Sequence, residues 1–153
     1  MSLAIKDDGV AEINVAGGSA ALDSHITMDD TWQNFIIVWR NSDGLLRLFK
    51  NGGNKESEKA SEGKKVKTGG TMYLGQKHKD DGFDKTKLMR GSIADFEIWS
   101  NWITDGTAIK IYNYNCQTAA NFIPGDILSW DKILKSAIKG KAERICPSTC
   151  KKP

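Results

Sequence analysis

Residues 74–87 read LGQKHKDDGFDKTK and gather many chemically active side chains in one short stretch. Lys77, His78, Lys79, Lys85 and Lys87 supply cationic or protonatable nitrogen. An ammonium group is a compact point charge that suits phosphate, sulfate or carboxylate. Asp80, Asp81 and Asp84 lie among them and supply carboxylate oxygen. A hard cation such as calcium takes about six to eight oxygen ligands, so these acids form a fallback for a metal rather than a full site. The plainer alternative is a solvated loop whose acids pair with neighbouring lysines, each pair contributing little.

Other residues invite chemistry more weakly. Asp95 and Glu97 stand two apart, which on a strand points both carboxylates to one face. Paired acids hydrolyse glycosidic bonds in some enzymes. No third acid continues the pattern, because Trp99 takes the next position on that face. The expectation is therefore a protein that is not an enzyme. Trp32, Trp39, Trp99 and Trp130 read as core aromatics, while Trp102, just past a strand, is the better candidate for a ligand contact. His25 is a lone histidine near a strand end and is assigned no role. Cys116, Cys146 and Cys150 are odd in number. A zinc site would need a fourth ligand, and the two histidines are distant in sequence. A disulfide is expected, either Cys146–Cys150 or one of these with Cys116, and it points to an oxidising compartment.

These residues need a scaffold. The chain has 153 residues, enough for one domain with a real core. Apolar residues make up 39% and charged residues 27% of the chain. That is the balance of a folded protein rather than a disordered one. The net charge of +3 is spread among acids, so nucleic acid is not the expected partner. No stretch approaches the roughly 20 apolar residues that cross a bilayer, and the start, MSLAIKDDGV, does not read as a signal peptide.

Strand signals dominate. VAEINVAGG alternates and ends in two glycines. WQNFIIVWR is a β-branched and aromatic run, NSDG is a turn, and LLRLFKNGG is the returning strand of a hairpin. GNKESEKASEGKK, residues 53–65, has almost no apolar content and reads as a solvated loop. KVKTGGTMYLGQ resumes strand character, and GSIADFEIWS alternates like a half-buried strand. TDGTAIKIYNYN can start a short helix at its Thr or Asp, and SWDKILKSAIKG has helical apolar spacing. The expected fold is all-β, an antiparallel sandwich with one short α-helix around residues 105–114.

The blocks TWQNFIIVW, SDGLLRLFKNG, GGTMYLGQ, GFD, GSIADFEIW and GDILSW occur in this order. In that order they resemble the pentraxin domain, within the laminin G-like and concanavalin-like jelly-roll group. The resemblance implies a jelly-roll β-sandwich over residues 1–145, with a short Cys-containing tail at 146–153. The family's first strands have no counterpart here. The family's motif of His, Cys and Ser or Thr before a Trp is replaced by Asn34, Ile36 and Val38 before Trp39, so the family disulfide through that cysteine cannot form.

The resemblance also implies a function. Pentraxins are extracellular recognition modules for carbohydrates or phosphorylated groups, usually through calcium. The family's calcium ligands after LGQ and after FD fall here on Lys77, His78, Lys79 and Lys87, none of which supplies an anionic oxygen. No cofactor is expected. The expected ligands are glycans or small anions, met by the basic cluster itself. A homo-oligomer or a longer multidomain parent is the expected setting. A structural or adhesion laminin G-like module, and a glycan-active enzyme built on Asp95 and Glu97, are the alternatives.

Overall fold

The computed structural model describes residues 1–6, 8–27, 29–79, 82–113, 124–138 and 141–144. Among these residues it is all-β in character, with antiparallel sheets and two helices, one of them a single turn. The first sheet is a meander of β1 (Ser2–Ile5), β2 (Val10–Val15) and β3 (Gly18–Asp23). The second is a meander of β4 (Phe35–Trp39), β5 (Leu45–Lys50) and β6 (Gly53–Lys59). A separate hairpin joins β7 (Gln76–Lys79) to β8 (Gly82–Leu88).

Period-two alternation builds the core. Ala11, Ile13 and Val15 of β2 point to one side, and with Leu22 they meet Leu46 and Leu48 of β5. The opposite side of the second sheet presents Ile36, Val38 and Phe49. α1 (Asp105–Asn113) covers that side through Ala108, with Trp102, Ile103 and Ile111 packed alongside. The second sheet is thus the middle layer, apolar on both faces. That explains why FIIVW reads as a continuous apolar run.

Turn chemistry fixes the registers. Asn41–Gly44 closes the β4–β5 hairpin, with Arg40 N–H bonded to the Leu45 carbonyl at 2.8 Å. The Arg40 guanidinium grips Asp43 through two hydrogen bonds of 2.9 and 2.6 Å. Gly44 has φ +71°, and a Cβ there would lie 3.1 Å from the Ala60 carbonyl oxygen and from Glu62 N. The position therefore demands glycine. Asn51-Gly52 turns β5 into β6 with both φ positive. Tyr112 of α1 rests on Gly52, where a Cβ would come within 2.5 Å of the ring.

Four expectations are corrected. Residues 53–59 are a strand, β6, rather than a loop, because an edge strand needs only backbone partners and tolerates charge. KVKTGGTMYLGQ forms no strand before Gln76. GSIADFEIWS is not a strand either: Asp95 adopts φ +51°, and only Ile98 pairs, with Leu128. A left-handed residue of this kind breaks the extended backbone. Trp32 is 42% exposed and lies outside the core. A second helix, α2 (Trp130–Leu134), is a single short turn after Ser129. The three cysteines lie outside the described residues, and so does any disulfide among them.

Candidate functional site

The stretch read as a loop is a hairpin. His78 sits opposite Phe83 and Lys79 opposite Gly82, while the next pair is Gln76 opposite Leu88. Between those pairs β7 has Lys77 alone, and β8 has Asp84, Lys85, Thr86 and Lys87. The surplus makes a bulge, and Asp84 closes it. Its carboxylate accepts from Thr86 N–H at 3.0 Å and from the Thr86 hydroxyl at 2.7 Å. Its carbonyl accepts from Gln76 Nε2 at 3.3 Å. Asp84 is buried, whereas Lys77, Lys85 and Lys87 stand in solvent. Asp80 and Asp81 lie outside the described residues.

Three rings hold the hairpin together. His78 stacks on Tyr73 at 4.7 Å with an interplanar angle of 4°. Phe83 meets both edge-on, at 5.1 Å from Tyr73 and 5.4 Å from His78. Such pairs contribute roughly 0.5–1.5 kcal/mol each beyond their buried area. This cluster escapes sequence reasoning because Tyr73 precedes the strand. Only pairing residues symmetrically about 80–81 would have put Phe83 across from His78.

The donor set does not fit calcium. Lys77, His78 and Lys87 offer nitrogen where the ion needs anionic oxygen, and the Asp84 carboxylate is engaged by Thr86. Among the described residues, no three His, Cys, Asp or Glu side chains are grouped to share an ion. What remains is a hairpin whose Lys77, Lys85 and Lys87 stand in solvent.

The other candidates lie elsewhere. Glu97 clamps the chain downstream: its carboxylate accepts from Gly125 N–H at 2.6 Å and Trp130 N–H at 3.1 Å. A Cβ at Gly125 would come within 2.2 Å of the Leu128 carbonyl oxygen, so this crossing also requires glycine. Partial desolvation raises the Asp95 carboxyl. With φ +51° at Asp95, the two acids do not share a strand face, and the premise of a paired-acid centre fails. Trp102 is half-buried. The Arg40 guanidinium lies 4.7 Å from its ring centroid and that of Arg47 lies 5.8 Å away. Both are within reach of a cation–π contact. Arg47 is itself hydrogen-bonded to Asp105. His25, assigned nothing by sequence, lies 3.7 Å from Asp23 and 3.5 Å from Glu56, and its carbonyl accepts from the Lys50 ammonium. It ties the end of β3 to β5 and β6.

The family model described as the Pentaxin family matches residues 3–144. The chain belongs to this family. Pentaxin relatives include the neuronal pentraxin receptor of Rattus norvegicus, 28% identical over 127 residues, covering 81% of this chain and 24% of that protein. Human neuronal pentraxin-1 is 29% identical over 106 residues, covering 67% of this chain and 23% of the relative. The pentraxin fusion protein of Xenopus laevis is 22% identical over 145 residues, covering 94% and 33%. This pentaxin chain therefore spans about a quarter to a third of the relatives it matches. Among solved structures, an S-layer domain-containing protein from Clostridium thermocellum aligns over 68% of the chain and 51% of its own, at 17% identity and a TM-score of 0.45. In the described residues no helix is long and apolar enough to cross a membrane.

Proposed function

We propose that this chain is a non-enzymatic, extracellular recognition module that binds carbohydrate or anionic, phosphorylated ligands through the β7–β8 hairpin. The observation that supports the reading is the exposure of Lys77, Lys85 and Lys87 on one hairpin, at and beside the positions to which the family resemblance assigns calcium ligands. In the family's mode of binding the ion meets the ligand's anion. An ammonium group meets the same anion directly. The hairpin pairs with neither of the other sheets, so its exposed lysines can face a ligand.

Calorimetry with phosphorylated and sulfated sugars tests this, first in chelator and then with calcium. Binding should persist in chelator and weaken steeply with salt. Exchanging Lys85 and Lys87 for Glu should lower affinity by about tenfold or more, as expected for losing charge-assisted contacts. Binding that appears only with calcium would remove the lysines from the role. No binding under either condition would leave a structural or adhesion module.

A further inference from the structure

We propose that the Lys67–Thr68 bond is a processing site for a serine protease with an acidic specificity pocket, and that the cut chain stays assembled. Residues 60–70 read ASEGKKVKTGG and join β6 to the part of the chain that carries the hairpin and α1. Lysine is a side chain that an acidic pocket accepts. Lys64, Lys65 and Lys67 are all exposed, in a stretch with neither strand nor helix. Exposed, irregular segments of this kind are the preferred places for a cut.

Backbone bonding chooses among the three lysines. A protease cleft takes about three residues on each side of the bond in extended form, so any backbone bond they make must open first. Gly63 N–H bonds the Asn41 carbonyl at 2.6 Å, and Lys64 N–H bonds the Ser61 carbonyl at 3.1 Å. A cut after Lys64 or Lys65 has to open both. Among the described residues, nothing hydrogen-bonds the backbone of Lys65 through Gly70. That span is the one that flanks the Lys67–Thr68 bond. Beyond the bond, a Cβ at Gly69 or Gly70 would meet no atom within 4 Å, so the approach is open. Competing cations are held. Lys77, Lys85 and Lys87 lie within β7 and β8. Arg90 follows Met89, whose N–H bonds the Gly75 carbonyl at 2.7 Å.

The reaction is a hydrolysis. The amide bond breaks, the oxygen of water ends on the Lys67 carbonyl carbon as carboxylate, and the Thr68 nitrogen becomes an amino group. Contacts across the cut keep the pieces together. Ala108, Ile103 and Ile111 pack on Ile36, Val38 and Phe49. Arg47 bonds Asp105, and Tyr112 rests on Gly52. Each of these contacts joins a residue before the cut to one after it. The β7–β8 hairpin loses its direct tie to β6 and stays on the molecule through α1.

Brief digestion of the whole chain with trypsin tests this, read by mass spectrometry in buffer and in urea. The first cut within residues 1–113 should follow Lys67. It should give residues 1–67 and a piece that begins at Thr68, held as one particle in buffer and parted in urea. Lys67→Gln should slow this cut by about a hundredfold or more. Thr68→Pro keeps the lysine, makes the bond resistant and should slow it as much. A first cut after any other lysine or arginine in residues 1–113 overturns the site. So does a chain that stays whole there, because other residues then cover the segment. Pieces that part without urea overturn the assembled form.

Discussion

The two meanders with α1 and the β7–β8 hairpin are built on different principles. In the first region Ile13, Leu46, Leu48 and Phe49 are each at most 1% exposed. In the second, among the described residues, only Asp84 is buried, and Tyr73, Phe83, Leu88 and Met89 remain open to solvent. Apolar burial at about 25 cal/mol per Å² therefore stabilises the layered block and does little for the hairpin. The hairpin is held by backbone pairing, an Asp84–Thr86 bulge and three rings. A region with little burial can exchange its charged residues with little effect on folding, and this is where Lys77, Lys85 and Lys87 stand in solvent.

The sharpest way to break this contrast is to delete the same kind of bulk from both regions. Leu48→Ala should cost about 2–5 kcal/mol in urea denaturation, the range for large-to-small changes in a packed core. Phe83→Ala should cost less, about 1–3 kcal/mol, mainly its two lost ring contacts. Equal losses would mean that the hairpin carries hidden packing. Next in size, Gly44→Ala forces a left-handed backbone on alanine against the Ala60 carbonyl, and should cost about 1–3 kcal/mol. An unchanged midpoint would show that the turn relaxes. Glu97→Ala orphans two backbone N–H groups and should cost about 1–3 kcal/mol without moving the ring-current shifts of Phe83. A shift at Phe83 would couple the regions.

The smallest effect is electrostatic. The Arg40 hydrogen bonds, aided by Leu45 N–H, hold the Asp43 carboxyl far below the usual carboxylate range. A depressed carboxyl contributes stability in full above its unfolded value of 3.8, and loses it as pH falls below that toward the folded value. Asp126 behaves alike, lowered by its hydrogen bonds from Ser100. Stability should thus drop below about pH 4, and Asp43→Asn should flatten that drop by lowering the neutral plateau toward the acid value. An identical acid limb in the variant would remove Asp43 from the account.

Much of the layered block was legible in the sequence. FIIVW, NSDG and LLRLFK state strand, turn and strand through β-branching and turn chemistry, and α1 was announced by Thr104 and Asp105. What was hidden had physical reasons. β6 offers no apolar signal because an edge strand facing water needs none. The alternation in GSIADFEIW is real, but one left-handed residue at Asp95 cancels it, and periodicity carries no information on φ. At the site, the exposed lysines were visible as residue types. The pairing of Phe83 with His78 was not, because QKHK lacks the residues that mark strands.

The meander order of both sheets bears on how the molecule assembles. Each strand pairs with its neighbour in sequence, so both sheets close short loops and are quick to form. The Arg47–Asp105 bond and the seat of Tyr112 on Gly52 instead span more than fifty residues of chain. Docking of α1 is thus the long-range, late event. Trp102, held beside two guanidinium groups only once α1 has docked, reports it. In stopped-flow refolding its fluorescence should lag the far-ultraviolet signal of the sheets. Coincident phases would mean that sheets and helix form in one step.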